Sequence, residues 1–300
     1  MSRIEEALEK AVRFRNNREL EIKEKPLAVQ AQRNASPIIS YPQTGTPANL
    51  ESPFLVTASD PHSATAEEYR KLKSVLVSLT RQQDEFRNTI MVTSSVSGEG
   101  KSVTALNLAI SLAQEFDHTV LLIDADLRKP SLHEYFGLEP KLGLADCLQD
   151  GIDPGEVLIK TGIGKLTLFP AGKAVQNPVE LISSQKLTEL IQEMKHRYPD
   201  RYIIIDTPPV LLFAETFFLS TLVDGVVFIV REGLTSMQNI TDALTALKGT
   251  PVLGMVYNDV NQSGSDNRYG YYYGRHLRED VPESPVPAKK QGYFGRLFKR

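Results

Sequence analysis

A glycine-bearing loop between an apolar strand and a helix has the composition of a phosphate-binding site. The apolar run 90–93 leads into Ser-Ser-Val-Ser-Gly-Glu-Gly-Lys-Ser at 94–102, and a helical pattern follows at 103–115. Glycines let the backbone N–H groups turn inward, and the dipole of the following helix favours an anion. Lys101 can reach the outer phosphates, and the Ser102 hydroxyl can bind magnesium. The predicted nucleotide contacts are Ser97, Gly98, Glu99, Gly100, Lys101, Ser102 and Val103.

Two carboxylates, Asp124 and Asp126, follow the apolar run 119–123, which is typical of a strand buried on both faces of a parallel sheet. In extended backbone they point to the same side, at the carboxyl end of the strand, where open α/β sheets bind ligands. Like charges this close need a cation between them, which magnesium and Lys101 would supply. Taken alone, the same pattern is also compatible with a turn or a helix cap.

A third acidic position, Asp206, ends the apolar run 202–205 and precedes Thr-Pro-Pro. Such a carboxylate is expected to hold the magnesium shell against the phosphate loop. The three segments occur along the chain in the order phosphate loop, Asp-x-Asp and Asp-Thr-Pro-Pro. Finding all three in this order is far more specific than finding any one of them. Asn258, after the apolar run 252–257, is a candidate for reading an adenine edge, although asparagine at a strand end is also a common turn residue.

Apolar strands alternate with helical patterns along most of the chain, and this alternation predicts the fold class. Right-handed crossovers between parallel strands would give an α/β fold with a doubly wound, mostly parallel sheet flanked by helices. The predicted organisation is a short amphipathic helix at 1–22, a flexible Pro-rich linker at 23–61, a P-loop domain at 62–262 and a tail at 263–300.

Composition restricts the classes of function. The formal net charge of -3 gives no support for a nucleic-acid binder. The single cysteine excludes an internal disulfide and fits a reducing compartment, so we expect a cytoplasmic protein. No apolar segment approaches the roughly 18 residues of a spanning helix, and the N-terminus lacks the apolar core of a signal peptide.

The tail carries four tyrosines within five residues, followed by a Pro-rich spacer and the basic, aromatic segment 289–300. The tyrosines have no periodic apolar partners, so we expect exposed hydroxyls on a tether. An aromatic adhesive patch is the alternative. The basic end is a candidate for peripheral membrane or partner contact. The four tyrosines are Tyr269, Tyr271, Tyr272 and Tyr273.

Together these residues resemble the bacterial tyrosine kinases that regulate polysaccharide polymerisation and export, which are relatives of the partitioning-type P-loop ATPases. The resemblance covers about residues 60 to 275 and rests on the loop 95–102, the segments Leu122–Pro130 and Ile205–Pro209, and the tyrosine cluster. The N-terminal sequence Ser-Arg-Ile-Glu-Glu-Ala-Leu is similar to the type found with exosortase and exopolysaccharide loci.

The resemblance implies an ATP- and Mg²⁺-dependent tyrosine autokinase that modifies its own tail in trans. Lys101 and Ser102 would bind phosphates and magnesium, Asp124 and Asp126 would handle magnesium and activate the tyrosine hydroxyl, and Asp206 would complete the metal site. The implied partner is a membrane chain-length determinant protein, a polysaccharide co-polymerase, which would hold the chain at the inner face of the cell membrane.

The resemblance also implies a homo-oligomeric ring assembled through a Glu-x-x-Arg-x-x-Arg helix. Glu67 and Arg70 match this pattern, whereas Lys73 replaces the last arginine. Lysine lacks the planar, bidentate fork of arginine, so the ring is a weaker expectation than nucleotide binding.

Two other classes of protein remain open. A partitioning-type ATPase would dimerise across ATP and hydrolyse it, but many such relatives carry an extra lysine where this chain has Val96. A nucleotide-binding scaffold without catalysis would report nucleotide state to a membrane assembly, although its lysine and three aspartates would then have no catalytic use.

Overall fold

The structure is a computed structural model that describes residues 52–82, 85–198 and 200–260. The predicted N-terminal helix, most of the predicted linker and the tail with its tyrosine cluster lie outside the described residues. No helix in the described part of the chain combines the length and apolar character needed to cross a bilayer.

The described residues form helices and strands in alternation. The helices are α1 Val56–Ser59, α2 Ala64–Thr80, α3 Lys101–Ala113, α4 Leu132–Tyr135, α5 Leu144–Asp150, α6 Pro154–Val157, α7 Pro178–Ile182, α8 Gln185–Arg197, α9 Ala214–Ser220 and α10 Met237–Ala246. The strands are β1 Arg81–Gln82, β2 Glu85–Phe86, β3 Thr89–Ser94, β4 Thr119–Asp124, β5 Ile159–Lys160, β6 Leu166–Phe169, β7 Arg201–Asp206, β8 Gly225–Arg231 and β9 Val252–Asn258.

Seven strands form one sheet in the order β5-β6-β4-β7-β3-β8-β9. All neighbours are parallel except β5 and β6, which are antiparallel. The predicted doubly wound, mostly parallel sheet is therefore confirmed. Because the central strands run in one direction, the carboxyl ends of β3, β4 and β7 lie at the same edge, and Asp124 pairs directly with Asp206 across it.

Helices cover both faces of the sheet, which explains why its central strands are apolar without alternation. All six residues of β3 and all six of β7 are buried. One core layer packs β-strand side chains against α3 and Leu76 of α2. On the other face of the sheet, the strand side chains pack against helices that include α5, α8 and α10. The phosphate loop is thereby fixed at the junction of β3 and α3.

The last part of the predicted linker is ordered, which differs from the sequence expectation. Leu55 is fully buried and Val56–Ser59 is helical, so residues before 62 pack on the domain. The backbone N–H and the hydroxyl of Thr57 both donate to Asn107 Oδ1, at 3.1 and 3.0 Å. In return, Asn107 Nδ2 donates to the carbonyl of Phe54 at 2.7 Å. This polar contact was invisible in the sequence because its two sides are 50 positions apart.

Replacing Asn107 with Ala is expected to destabilise the domain by about 2–3 kcal/mol, because it leaves the Thr57 N–H and the Phe54 carbonyl without their partner in a buried contact. Urea denaturation would measure the loss. Gln238→Ala, at an exposed position of α10, also removes a side-chain amide and is the control, which should change stability by less than about 0.5 kcal/mol. Equal values for both variants would contradict the docking role of Asn107.

Candidate active site

The phosphate loop leaves β3 and enters α3 through two glycines in the left-handed region. Gly98 has φ +85° and Gly100 has φ +90°, conformations that L-residues with side chains rarely adopt. Gly100 is the residue that precedes the first turn of α3. The loop therefore ends at a helix N-terminus, the position at which backbone N–H groups favour an anion.

The Glu99 side chain faces the protein and braces the loop from within. Glu99 is fully buried, its Oε2 accepts the Val96 N–H at 2.8 Å, and its Oε1 accepts the hydroxyl of Thr235. Asn258 Nδ2 donates to the Glu99 carbonyl at 2.9 Å. Asn258, a sequence candidate for the adenine, thus supports the loop in this structure. Of the other predicted contacts, Ser97 and Gly98 are exposed, and Val103 lies in the first turn of α3.

Gly100 has no room for a side chain. A Cβ at this position would lie 2.1 Å from Asn258 Nδ2. Gly100→Ala is therefore expected to displace the loop and weaken nucleotide binding by about tenfold or more, which calorimetric titration would measure. Adding Asn258→Gly should recover only part of the affinity, because it removes the clash but also removes the hydrogen bond to the Glu99 carbonyl, and the backbone strain stays. Unchanged affinity in Gly100→Ala would contradict this packing.

Lys101 lies against the acidic side of the site. Its Nζ donates to Ser102 Oγ at 3.3 Å and lies 3.5 Å from Asp126 Oδ2. Burial disfavours the ammonium, but the charges of Asp206, Asp126 and Asp124 outweigh it and raise the pKa of Lys101. The amine is held as a cation, which is the form that can neutralise phosphate charge.

Asp124 and Asp126, although two positions apart, have different surroundings. Asp124 is fully buried, and its carboxylate accepts the N–H groups of Asp126, Ser131 and Leu132 at 3.0–3.2 Å. Burial, and then the charge of Asp206, raise the pKa of Asp124 to about 7. Asp126 is slightly exposed, with Oδ1 accepting the Lys129 N–H and Oδ2 directed at Lys101. Of these two residues, only Asp126 therefore has a carboxylate oxygen open to the site.

Asp206 is the unsatisfied group of the site. It is fully buried, and neither of its carboxylate oxygens has a hydrogen-bond partner within the described residues. Burial raises its pKa to about 6, although the charge of Lys101 and the nearby Ser102 hydroxyl and Thr207 N–H, which lie outside hydrogen-bond geometry, oppose this shift. An orphaned buried carboxylate is costly unless a cation satisfies it. The donor set of Asp206 and Ser102 is thus compatible with a hard divalent cation.

The described residues contain no cluster of three or more His, Cys, Asp or Glu side chains arranged as a complete metal cage. Mg²⁺ usually binds through one or two carboxylates and fills its remaining positions with phosphate oxygens and water.

Sequence reasoning missed an ion pair beside Asp126, between the exposed Arg128 and the buried Glu215. Arg128 Nε donates to Glu215 Oε1 at 2.5 Å, and the Arg128 guanidinium carbon lies 4.7 Å from the centre of the Phe213 ring. The Glu215 side chain is 1% exposed. The hydrogen bond to Glu215 raises the pKa of Arg128, burial opposes it, and the charges of Asp126 and Glu180 contribute further. Arg128 lies in the segment Leu122–Pro130, on which the family resemblance partly rests. Its partner Glu215 is 87 positions away, so no local pattern links the two.

Arg231 is a second residue that the sequence did not indicate. Its Nη1 donates to the Gly98 carbonyl at 3.2 Å, and its guanidinium pairs with Asp259 at 2.6 Å. The carboxyl ends of β8 and β9 therefore hold the phosphate loop from one side.

The predicted oligomer contacts lie on α2 and are engaged within the chain. Glu67 and Arg70 form an ion pair of 2.6 Å, and Arg70 also donates to the Pro61 carbonyl. Lys73 pairs with Glu115 at 2.6 Å, and its side chain is only 16% exposed. The lysine that departs from the arginine pattern thus links α2 to the end of α3.

Comparison with known proteins agrees with this geometry. Residues 90–282 match the family described as the CobQ/CobB/MinD/ParA nucleotide binding domain. The chain is 35% identical over 222 residues to the tyrosine-protein kinase YwqD of Bacillus subtilis (strain 168), covering 73% of this chain and 90% of that protein. It is also 31% identical over 225 residues to the putative tyrosine-protein kinase EpsB of Ralstonia solanacearum, but spans only 29% of that longer protein.

Among solved structures, the kinase domain of the Escherichia coli tyrosine kinase ETK is similar, with a TM-score of 0.65 and 25% identity, over 71% of this chain and 82% of that one. The fold and the phosphate loop define a member of the CobQ/CobB/MinD/ParA class of nucleotide-binding domains. Within this class, the chain belongs to the bacterial tyrosine-protein kinases.

Proposed function

We propose that the protein transfers the γ-phosphoryl group of ATP, bound with Mg²⁺, to the tyrosine cluster of its own tail, mainly between copies of the chain. The observation that carries the proposal is the convergence of Lys101, Asp126 and the orphaned carboxylate of Asp206 at one edge of the sheet. Solved relatives of the same fold are described with Mg-ADP and with an ATP analogue and magnesium, which supports the choice of cofactors.

The site residues have separate tasks in this proposal. Lys101 neutralises charge on the outer phosphates, and the loop amides at the start of α3 hold the phosphate chain in place. Ser102 and Asp206 would hold Mg²⁺, which would supply further charge neutralisation when bound. Asp124 accepts three backbone N–H groups, so we assign it to fixing the loop that carries Asp126.

Asp126 is the proposed proton acceptor because its carboxylate faces the site, whereas that of Asp124 is occupied by backbone groups. The tyrosine oxygen forms a bond to the γ-phosphorus while the bond from that phosphorus to the β,γ-bridging oxygen breaks. ADP leaves, and the phenolic proton passes to Asp126. Each modified tyrosine gains about two negative charges, which favour departure of the tail from an acidic site.

The proposal is tested by incubating the full chain with ATP and Mg²⁺ and mapping phosphotyrosine by mass spectrometry. We expect modification within Tyr269, Tyr271, Tyr272 and Tyr273, and its loss when all four are Phe. Tyr257→Phe is the control on the described surface. ATP hydrolysis that persists without any phosphotyrosine in the wild-type chain would instead indicate a partitioning-type ATPase.

Transfer between copies has its own test. A Lys101→Met chain with an intact tail is mixed with an active chain whose four tail tyrosines are Phe. Phosphotyrosine on the Lys101→Met chain is expected, since only the other copy can supply catalysis. Its absence, with normal modification of the wild-type chain, would indicate transfer within one chain.

We also propose that a membrane chain-length determinant protein binds the chain at the inner face of the membrane, and that phosphorylation regulates exopolysaccharide length and export. A ring would use Glu67 and Arg70, whose side chains are about one third exposed, more than Lys73. Sedimentation of the unphosphorylated and phosphorylated chain tests the ring. Polymer length in cells carrying Lys101→Met tests the regulation.

A further inference from the structure

An open cleft of about 410 Å³ lies beside the site and has no role in the mechanism above. It is formed by the end of α5, the loop before α7 and α7 itself. Three side-chain amides, one carboxylate and two apolar side chains line it, from Gln149, Val175, Gln176, Asn177, Glu180 and Leu181. The volume is within the range of about 300–1,000 Å³ for small-ligand pockets, and this mixture of groups suits a ring with a polar tip.

The cleft is tied to the loop that carries Asp126. The Val175 N–H donates to the carbonyl of Leu127 at 3.0 Å, and Leu127 is the residue after Asp126. Arg128, the next residue, interacts electrostatically with both Asp126 and Glu180. Because Val175 is hydrogen-bonded to the residue after Asp126, the cleft and Asp126 are neighbours. A group held in the cleft therefore lies near the proposed position of phosphoryl transfer.

Glu180 is the one charged side chain among the residues that line the cleft, and its charge favours an unmodified, basic acceptor segment. Arg128 is largely neutralised by the buried carboxylate of Glu215, whereas Glu180 is exposed on α7. The tyrosine cluster of the tail is flanked by Arg268 and Arg275. Opposite charges therefore meet if the cluster lies across the cleft, and a phosphate in the cleft would be repelled by Glu180.

The spacing of the tyrosines fits two neighbouring positions. In an extended segment, residues i and i+2 point to the same side and lie about 7 Å apart. Tyr271 and Tyr273 have this spacing, as do Tyr269 and Tyr271. One ring of such a pair could reach the γ-phosphoryl position while the other enters the cleft.

A second copy of the chain is the favoured source of this segment. Three strands, β7, β3 and β8, separate β4 from β9, so the described chain ends roughly 19 Å across the sheet from Asp124. Eight residues lie between Val260 and Tyr269, so the connecting chain spans no more than roughly 32 Å. Docking within one chain would use more than half of this reach, whereas a neighbouring copy has no such restriction.

We infer that this cleft is an acceptor subsite that takes an unphosphorylated tyrosine of a second copy's tail, two positions from the tyrosine being modified. The inference rests on the proposed function and adds a rule of substrate selection to it. Pairs of tyrosines at i and i+2 are preferred acceptors, and a phosphotyrosine in the cleft weakens binding.

The test uses peptides of residues 265–275 and a full chain in which the four tail tyrosines are Phe. One peptide keeps only Tyr271 and Tyr273, one keeps only Tyr271, and one keeps Tyr271 and Tyr272, with Ala at the other cluster positions. We expect kcat/KM for the 271/273 peptide to exceed both others by about tenfold, well above the twofold effect of a second acceptor. Phosphotyrosine at 273 should remove the advantage.

Gln176→Trp, which fills the cleft, should lower the value for the 271/273 peptide to that of the single-tyrosine peptide. Gln192→Trp, at an exposed position of α8 outside the cleft, is the size-matched control and should keep the preference. If Gln176→Trp fails to fold, the peptide comparison on the unaltered cleft still decides the question. A preference of twofold or less would overturn the subsite.

Peptide binding to Lys101→Met, measured by fluorescence anisotropy, separates the two proposals. If the chain phosphorylates the peptides but neither the rate nor the binding favours the 271/273 pair, the subsite is wrong and the kinase reaction stands. A pair preference in binding, with no transfer by the active chain to any peptide or tail, supports a tyrosine-binding cleft but overturns the proposed kinase reaction and, with it, the acceptor role of the cleft.

Discussion

Replacing Lys101 with Met is expected to lower phosphoryl transfer by about 10³-fold while the domain stays folded. The ammonium lies 3.5 Å from Asp126 Oδ2, and neighbouring carboxylates keep it charged. It is therefore the protein's own cation at the place where phosphate charge must be neutralised, and loss of one preorganised electrostatic contact of this kind costs about 10²–10³ in rate. The measurement is initial phosphotyrosine formation at saturating ATP and Mg²⁺.

Lys248→Met, at an exposed position after α10, is the matched control and should retain activity. The melting temperature of Lys101→Met distinguishes lost catalysis from lost structure. A Lys101→Met chain that transfers phosphate at the wild-type rate would contradict the assigned site. If polysaccharide assembly in cells were also unaffected, the scaffold alternative would gain support.

The sheet and the group of three aspartates at its edge, Asp124, Asp126 and Asp206, were predictable because they depend on short-range signals in the sequence. Runs such as 119–123 and 202–205 are apolar at every position, which indicates strands buried on both faces, and each ends in an aspartate. Parallel strand direction then brings those aspartates together without further information. The sequence therefore predicted the three carboxylates as a group.

The supports of the site could not be predicted in the same way. Asn258 and Glu99 meet across 159 positions, and Arg128 and Glu215 across 87. No local pattern links such pairs. Helices of four or five residues, such as α4 and α7, are too short to generate a detectable helical period.

The different roles of Asp124 and Asp126 also needed the structure. Both follow the same strand, and an extended backbone would give them equal access to a ligand. The chain instead turns after Asp124, so that the N–H groups of Ser131 and Leu132 reach back to its carboxylate. Spacing predicted convergence of the two side chains, but the turn determines which one faces the site.

Replacing Asp206 with Asn is expected to abolish phosphoryl transfer and, without Mg²⁺, to make the domain more stable. The rise in pKa from 3.8 to about 6 corresponds to an ionisation penalty of roughly 3 kcal/mol in the folded state. Asparagine removes this penalty but buries unpaired N–H donors, which costs about 1–2 kcal/mol. We therefore expect a net gain of about 1–2 kcal/mol at pH 8 in EDTA, measured by urea denaturation.

The pH dependence of this gain in stability tests whether Asp206 carries a negative charge in the folded protein. The folded pKa of Asp206 is raised, so its penalty is fully present above about pH 6, declines as the pH falls, and vanishes below the unfolded value of 3.8. The stability advantage of Asp206→Asn should therefore disappear between pH 6 and about 4. Asp242→Asn, at an exposed position of α10, should show no such change.

Mg²⁺ and ADP should reverse the order of stability. A ligand that binds only the folded state stabilises it in proportion to occupancy, and Asp206→Asn lacks the carboxylate proposed to hold the cation. The wild-type chain should gain several degrees in melting temperature with Mg·ADP, while the variant gains little. If Asp206→Asn were destabilised in EDTA, or stabilised by Mg·ADP as strongly as the wild type, the orphaned carboxylate would not be the metal-binding group. If Mg·ADP reverses the order of stability, the buried charge of Asp206 lowers the stability of the free domain and is needed to bind the cation.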